Sequence, residues 1–289
     1  MSAQQPFRLL RPAQQSMAVV FSSPHSGADY PASFLALSRL ALDGLRRSED
    51  CRVDELFAEA PALGAPLLAA LFPRSFVDPN REPLELDPQM FEDALPSGAN
   101  TTSPRVDAGL GVIPRVVATG EEIYGRKLCF AEAALRIQRY WRPYHATLAA
   151  EVEATHRRFG FCVLIDCHSM PSMGGPLERD TGWERVDFVL GDCRGGACGP
   201  ALTDQVEITL RRLGYTVARN NPYSGGYVTQ HYGRPAEAVH ALQIEVNRGL
   251  YLDEASLRPG PGFWRIAADM SELIRSLATL PFGLAAAAE

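Results

Sequence analysis

The chain has 289 residues, of which 46% are hydrophobic and 21% are charged, and these are typical values for a soluble globular enzyme. Its formal net charge is −6 and its pI is about 5.6, so no nucleic-acid or anionic-membrane partner is predicted. A chain of this length can bury a sizeable core without disulfides or structural metals. The sequence contains no run of ~18 apolar residues, the length that a membrane-spanning helix needs.

The cysteine spacing indicates reduced thiols. Four residues separate Cys162 from Cys167, and four separate Cys193 from Cys198, which is wider than the usual zinc knuckle. No Cys/His block completes either pair. The N-terminus lacks a basic start followed by a long apolar core, so no signal peptide is predicted. We therefore expect a cytoplasmic protein without disulfides.

The first predicted strand ends at a histidine. Residues 1–16 are polar and glutamine-rich, and we expect a loose lead-in. The sequence MAVVFS (17–22) predicts a buried strand, and the proline and glycine residues of SPHSGADYP force a loop after it. His25 in this loop is either a solvated histidine in a turn or a metal ligand. Metallohydrolases of the α/β type present a first ligand in this way.

Two acids follow in a segment with a helical pattern, residues 34–60. Ser48 is a plausible N-cap, so the acids after it would lie at the positive end of a helix. Asp50 and Asp54 are one turn apart on one face. They are either solvated caps, or one is a metal ligand and the other its hydrogen-bonding partner. The chain has no H-x-x-E or H-E-x-x-H motif, so an acidic ligand would have to come from an element such as this one.

The next turn is rich in groups that can bind a carboxylate. A short strand is predicted at 75–77, and Asp78, Asn80 and Arg81 follow it. Asp78 and Arg81 could instead pair with each other. Residues 82–108 contain many Pro, Ser, Asn and Thr residues with little periodicity, which predicts a long excursion suited to a lid or rim over a site.

The longest predicted helix carries two histidines. A short strand is expected at 111–116, and residues 126–159 form the helix, which Pro143 kinks or splits. His145 and His156 share a face of this helix but lie ~16 Å apart along it, so they cannot bind one metal.

A central strand is predicted at 161–170. Its apolar run FCVLI predicts burial on both faces, and Asp166, His168 and Ser169 follow it. Polar groups at the carboxyl end of such a strand lie where open α/β sheets bind ligands. His168 is therefore a candidate ligand, although it could simply be hydrogen-bonded in a strand-end turn.

The remaining elements alternate between strand and helix. Strands are predicted at 186–190 and 215–220, with a helix at 200–213 between them. The glycine-rich stretch GDCRGGACG lacks the spacing of a phosphate-binding loop. The loop 221–233 around His231 can approach a small substrate closely, although a plain glycine-rich hairpin explains it nearly as well.

The last informative strand is 239–248, in which apolar residues alternate with Gln, Glu and Asn. Glu245 is costly to bury unless it is paired or functional, and an edge strand with one wet face is the alternative. Residues 250–277 are predicted to be mainly helical, and 281–289 form a loose tail. Strands that alternate with helices indicate one three-layer α/β/α domain over 17–280, with a mostly parallel sheet.

Several motifs together resemble the N-formylglutamate amidohydrolase family, over about residues 18–255. They are PHSGADYP, SEDCRVDELF, RSFVDPNREP, DCHSM, NPYSGGYVTQHYG and QIEVNRGLY, in this order. The resemblance implies a phosphorylase/hydrolase-like fold similar to that of zinc carboxypeptidases. It implies hydrolysis of a small N-acyl amino acid, N-formyl-L-glutamate, to formate and glutamate, the last step of one route of histidine degradation.

The resemblance also implies site residues. A zinc ion would be bound by His25, His168 and an acid at the start of the 49–54 segment, for which Asp50 is preferred and Asp54 is the fallback. Glu245 would be the general base. The expected substrate-binding residues are Arg74, Asn80, Arg81, Asn247 and Arg248.

The expected mechanism is zinc-assisted hydrolysis. Two imidazoles and one carboxylate make a three-ligand zinc site, Glu245 would move the proton, and His231 would stabilise the oxyanion. A related zinc amidase or deacylase for another N-acyl amino acid or peptide is the alternative enzyme. A non-catalytic small-acid-binding protein is the alternative outside catalysis, and it would not need Glu245. No G-x-S-x-G motif supports a serine nucleophile.

Overall fold

A mixed β-sheet lies at the centre of the fold. The computed structural model of the chain describes residues 5–279. The strands in these residues are β1 (Phe7–Leu10), β2 (Val19–Ser23), β3 (Leu67–Ala70), β4 (Cys162–Met170), β5 (Phe188–Gly191), β6 (Val217–Arg219), β7 (Val239–Asn247), β8 (Leu252–Asp253) and β9 (Arg258–Pro259). The α-helices are α1 (Ala32–Leu37), α2 (Leu42–Arg46), α3 (Val53–Leu56), α4 (Pro104–Asp107), α5 (Phe130–Arg136), α6 (Arg142–Phe159), α7 (Pro200–Arg212), α8 (Tyr227–Tyr232) and α9 (Phe263–Leu277).

The main sheet has seven strands in the order β1-β3-β2-β4-β7-β5-β6. The four strands β3, β2, β4 and β7 run parallel to one another. The outer strands β5 and β6 are parallel to each other but antiparallel to β7, and β1 is antiparallel to β3. Parallel pairs therefore predominate, as predicted. A separate small hairpin joins β8 to β9.

Helices cover both faces of the sheet, which confirms the predicted three-layer α/β/α architecture. Successive strand residues point to opposite faces, and the core divides accordingly. Val163 and Ile165 of β4 belong to one apolar cluster with residues of α3, α7 and α9. Cys162 and Leu164 belong to a second cluster with residues of α5, α6 and α8.

β4 and β7 are interior strands that pair in parallel over their whole length, from Cys162 opposite Val239 to Met170 opposite Asn247. Every residue of both strands is buried. The edge-strand alternative for Glu245 is therefore wrong, because its strand has neighbours on both sides.

The N-terminal part differs from the expectation of a loose lead-in over residues 1–16. Phe7–Leu10 forms an edge strand that pairs antiparallel with β3. The half-buried side chains of Phe7 and Leu9 pack on the core, whereas Arg8 points outward to an ion pair with Asp54. The alternation of apolar and polar residues that predicts a strand is short here and follows a polar stretch, so the strand was not predicted. The predicted loose tail, 281–289, lies outside the described residues.

Other elements are shorter or more broken than predicted. The 34–60 segment contains three short helices, and Arg52 before the third has a left-handed backbone with φ 61°. Residues 75–77 and 111–116 are not sheet strands, but their loops meet where the N–H of Asp78 donates to the carbonyl of Val112 at 2.8 Å.

The predicted helix over 126–159 is interrupted. A π-helical turn, Ile137–Trp141, separates α5 from α6, and Pro143 lies in the first turn of α6, where no backbone N–H is needed. Within residues 5–279, no helix combines the length and apolar character that crossing a membrane would require.

Candidate functional site

Two histidines meet at the carboxyl end of the parallel strands. His25 lies just beyond β2, and His168 lies near the end of β4. These strands are parallel neighbours, with Ser22 opposite Asp166, so both histidines reach the same edge of the sheet. Their ring centroids are 4.7 Å apart, and both side chains are buried.

Asp50 completes a cluster of three potential ligands. Its backbone N–H donates to the carbonyl of His25 at 3.0 Å, which fixes the loop before α3 against the strand end. Its Oδ2 lies 3.2 Å from Nδ1 of His25 and 2.9 Å from Nδ1 of His168. One ligand atom from each residue lies within 4.8 Å of the others.

Buried carboxylates hold the far nitrogen of each ring. Nε2 of His25 lies 2.7 Å from Oδ1 of Asp78, and Nε2 of His168 lies 3.0 Å from Oδ2 of Asp166. Each ring therefore lies between two carboxylates, Asp50 at Nδ1 and either Asp78 or Asp166 at Nε2. Burial opposes a charge on His168, but Asp166 and Asp50 raise its pKa well above the usual value. A metal ion can take the place of the proton between such a ring and Asp50, because an imidazole ligates through a nitrogen lone pair. The donor set therefore fits a divalent metal ion with carboxylate–histidine support.

The charge state of the two acids follows from the same contacts. Burial alone would raise the pKa of Asp50, but the rings of His168 and His25 hold the pKa well below its usual range. Burial likewise opposes the ionisation of Asp78, whereas Arg74 and His25 lower its pKa strongly. Both carboxylates are therefore ionised when the site is formed.

The fallback acid, Asp54, does not approach the histidines. Its carboxylate forms an ion pair with Arg8 of the edge strand at 2.7 Å. Burial raises the pKa of Asp54, and the nearby Arg8 lowers it. Of the two acids left open by the sequence, the structure brings Asp50 to the cluster.

We expect Asp166→Asn to lower the affinity for a divalent metal by about 10–100-fold, because carboxylates that hold ligating histidines typically contribute this much. A competition titration against a chelating dye measures the affinity. Asp87→Asn is the matched control, since Asp87 is also buried and bonds Arg115 at 2.6 Å but does not line the cavity. If Asp166→Asn left the metal affinity unchanged, the contact between Asp166 and His168 would not support metal binding.

Glu245 lies beside the cluster because of the strand register. It is directly opposite His168 across the β4–β7 pair, and Gln243 is opposite Asp166. Neighbours in register project to the same face of a sheet. Gln243 donates from Nε2 to Oε1 of Glu245 at 2.7 Å. Burial raises the pKa of Glu245 to about 7, although His168 lowers it, so this carboxyl can both take up and release a proton near neutral pH.

A cavity of about 390 Å³ opens beside these groups, a size suited to a small ligand. Three of the predicted arginines line it. Arg74 donates to Asp78 at 2.8 Å, and Arg248 donates to Oδ1 of Asp50 at 2.9 Å. Among the described residues, Arg81 donates to the backbone carbonyls of Asn80 and Leu110, and its Nε lies 4.0 Å from Asp78. Arginines therefore line the same cavity as the histidine–carboxylate cluster.

Asn80 lines the cavity and also supports the cluster. Its Oδ1 accepts from the N–H of Val228 at 2.7 Å, which fixes the amide orientation. Its Nδ2 then lies 3.0 Å from Nε2 of His168 and donates to Oδ2 of Asp166 at 3.3 Å. Gly226 packs so closely on this amide that an added Cβ would lie 2.4 Å from Nδ2.

The turn that carries Asp78 and Arg81 is held from behind by α6 and the π-helical turn. Nε1 of Trp141 donates to the carbonyl of Arg81 at 3.0 Å, and Nε2 of His145 bonds the carbonyl of Pro79 at 2.8 Å. Burial lowers the pKa of His145 to about 4, so it acts as a neutral hydrogen-bond donor. His145, whose role the sequence leaves open, therefore positions the turn.

Two expected site residues do not reach the cavity. His231 is exposed on α8, its ring is stacked on Tyr227 with centroids 4.9 Å apart, and it is not among the cavity-lining residues. Its expected role in oxyanion stabilisation is not supported by this position. Asn247 is also absent from the lining, since its amide donates to the carbonyls of Arg185 and Val186 and its oxygen accepts from Gly249. These bonds shape the end of β7.

Sequence reasoning did not identify the residues that orient the site. Asp166 and Gln243 each precede a site residue by two positions on a buried strand, so the period of two was the available signal. The sequence left open whether Asp78 pairs with Arg81, which lies 4.0 Å away, but its closest partners are Arg74 and His25. No local pattern reveals that choice, because it depends on how the loop meets the strand end.

Comparison with known proteins gives consistent matches. The family model for N-formylglutamate amidohydrolase matches residues 17–252. The chain is similar to the N-formylglutamate deformylase of Pseudomonas putida, with 29% identity over 250 residues, or 83% of this chain and 84% of that protein. It is 32% identical over 231 residues to the N-formylglutamate deformylase of Pseudomonas aeruginosa, covering 79% of this chain and 77% of that protein.

A solved structure shares the fold closely. The crystal structure of N-formylglutamate amidohydrolase from Ralstonia eutropha JMP134 superposes with a TM-score of 0.88 at 40% sequence identity, covering 95% of this chain and 98% of that one. A gene product of Agrobacterium tumefaciens, Atu2144, has the same fold with a TM-score of 0.63 at 20% identity, over 95% of each chain.

Proposed function

Because the chain belongs to the N-formylglutamate amidohydrolase family, we propose that it hydrolyses the amide bond of N-formyl-L-glutamate to give formate and L-glutamate. Two curated relatives that carry the name N-formylglutamate deformylase support this substrate. The observation that carries the proposal is the position of Glu245, buried in register with His168 at the rim of a three-acceptor cluster. A protein that only binds small acids needs no such base.

The proposal includes a zinc ion held by His25, Asp50 and His168. Three protein ligands from histidine and carboxylate are the set found in catalytic zinc sites, whereas structural sites use four. When bound, zinc supplies Lewis-acid activation of water and of the formyl carbonyl. The two supporting carboxylates, Asp78 and Asp166, keep both rings in the tautomer that such an ion requires.

Glu245 provides the proton transfer. As a water molecule attacks the formyl carbon, the Glu245 carboxylate accepts its proton, and the same proton passes to the amide nitrogen as the C–N bond breaks. Gln243 occupies one carboxylate oxygen and leaves the other free for this exchange. The elevated pKa of about 7 that burial gives Glu245 suits a group that must both accept and return a proton.

Arginines would hold the substrate still. A guanidinium matches a carboxylate in shape and charge, and a fixed substrate brings the scissile bond into reach of the base. Arg74 and Arg248 lie next to the cluster through Asp78 and Asp50, so they can contact the α-carboxylate beside the scissile amide. Asn80 adds an amide at the same wall of the cavity.

A panel of N-formyl and N-acetyl amino acids, assayed for released amine with and without a chelator, tests this function. N-formyl-L-glutamate should be the best substrate, and the chelator should abolish turnover reversibly. Faster turnover of an N-acetyl amino acid would favour the related deacylase, and no turnover of any compound would favour a binding protein. We place the reaction in histidine degradation, and we place the protein, with its free cysteines, in the cytoplasm.

A further inference from the structure

A second arginine, Arg105, is linked to Arg81 by hydrogen bonds to the backbone of Leu110. Nε of Arg81 donates to the carbonyl of Leu110 at 2.9 Å, and the N–H of Leu110 donates to the carbonyl of Arg105 at 2.7 Å. Both arginines line the cavity. Arg105 lies on α4, within the 82–108 excursion whose composition predicts a rim over a site.

Arg81 is a buried cation, and in the part of the chain that the structure describes no carboxylate lies within hydrogen-bond distance of it. Its nearest acid, Asp78, is 4.0 Å away and is already bonded to Arg74 and His25. Burial lowers the pKa of Arg81 to about 10, and the positive charge of Arg105 adds to this effect. Since Nε and one N–H of Nη1 are used by backbone carbonyls, the Nη2 edge of the guanidinium has hydrogens left to donate.

Arg105 has no ion pair or side-chain hydrogen bond with any residue in the range 5–279. The α4 backbone that carries it is nevertheless well anchored. Ser103 caps this helix, accepting from the N–H of Val106 at 3.1 Å, and it also donates to the carboxylate of Glu85. The carbonyl of Glu85 in turn accepts from Val112 at 2.8 Å, and Val112 holds Asp78. The position of Arg105 is therefore tied to the wall that supports His25.

We propose that Arg81 and Arg105 form a cradle for the side-chain carboxylate of the substrate, so that Arg105 is a specificity-determining residue. Two neighbouring guanidinium groups repel each other, and an anion placed between them removes the repulsion and takes up their free donors. This inference rests on the proposed function for the identity of the ligand, an N-acyl derivative of glutamate.

We assign the side-chain carboxylate, and not the α-carboxylate, to this cradle because of its distance from the scissile amide within the substrate. The α-carboxylate carbon is two bonds from the scissile nitrogen, whereas the side-chain carboxylate carbon is four bonds away. Arg74 and Arg248 bond acids that touch the histidines, so they lie nearest the reacting amide. Arg81 lies 4.0 Å from Asp78, whereas Arg74 lies 2.8 Å from it, and Arg105 is exposed. The two arginines that do not hydrogen-bond the acids of the cluster therefore meet the carboxylate that lies farther from the reacting amide.

The test compares wild type, Arg105→Ala and Arg105→Lys on N-formyl-L-glutamate and N-formyl-L-glutamine, which differ only in the charge of the side chain. Calorimetry with L-glutamate and L-glutamine measures binding to the same metal-loaded proteins without turnover. Arg142→Ala is the matched control, because Arg142 is also exposed but lies outside the cavity lining.

Arg105→Ala should raise KM for N-formyl-L-glutamate and weaken binding of L-glutamate by about 10-fold or more, with little change in kcat. In Arg105→Ala, KM for N-formyl-L-glutamine and the affinity for L-glutamine should change less than about two-fold, since no charged hydrogen bond is lost. In Arg142→Ala, all of these values should likewise stay within about two-fold of wild type. Arg105→Lys should recover part of the loss. Equal effects on acid and amide, or no effect on either, would overturn the cradle. If wild type does not turn over N-formyl-L-glutamate but Arg105→Ala still loses selective glutamate binding, the proposed function fails and the cradle stands.

Discussion

Replacing Glu245 with glutamine should lower kcat for N-formyl-L-glutamate by about 10²–10⁴-fold, the contribution typical of a general base. Glutamine keeps the size of the side chain and can still accept the hydrogen bond from Gln243, but it cannot take the proton of water. The variant should keep its metal, because Glu245 is not one of the three converging ligands. Steady-state kinetics and metal analysis on one preparation measure both quantities.

The matched control for this variant is Glu151→Gln. Glu151 is also buried, but it lies on α6 and pairs with Arg11 at 2.6 Å, away from the cavity. Its kcat should stay close to that of wild type. A Glu245→Gln enzyme with kcat within a factor of about three of wild type would remove Glu245 from the proton transfer, since loss of a general base costs far more.

Replacing His25 with alanine should remove both the metal and the activity. The change deletes one of three ligands, so the metal affinity should fall by more than the ~100-fold upper range for a supporting residue. His25 follows a β-strand and is fully enclosed, and Asp78 would lose its ring partner. A thermal unfolding curve therefore has to accompany the measurement, to show that the variant is folded when it is assayed.

His156→Ala controls for the loss of an imidazole. His156 lies near the end of α6, outside the cavity lining. Its metal content and kcat should match those of wild type. Full activity and one bound ion in a folded His25→Ala protein would contradict the proposed ligand set.

The strands that carry the site could be predicted from the sequence because their burial is encoded locally. A continuous apolar run that ends in His168, and an alternating strand with Glu245, both follow from side-chain periodicity. The loop histidine, His25, could be placed at the same edge because parallel strands present their carboxyl ends together. The three-layer fold followed from the same alternation of elements.

Asp50 was preferred over Asp54, but the residue pattern alone could not decide between them, because the two acids share one helical face. Two long-range contacts distinguish them in the structure. The backbone bond from Asp50 to His25 draws one acid to the strand end, and Arg8 of the edge strand pairs with the other. Arg8 lies on β1, in a segment that the sequence composition predicted to be a loose lead-in.

Residues outside periodic elements were the least predictable. The aromatic and glycine composition around His231 suggested a substrate loop, but α8 directs that ring to solvent. Arg105 lies in an excursion without periodicity, and only the hydrogen bonds through Leu110 bring it to Arg81. Both outcomes depend on how loops pack, which no pattern of neighbouring residues records.

The metal content of the purified protein tests the central claim most directly, that three buried acceptors converge on one divalent ion. Mass spectrometry of protein prepared without chelator should find about one zinc per chain, and removal of the metal should abolish the hydrolysis of N-formyl-L-glutamate until zinc is restored. A protein that hydrolyses this substrate at full rate without any bound metal would contradict the account.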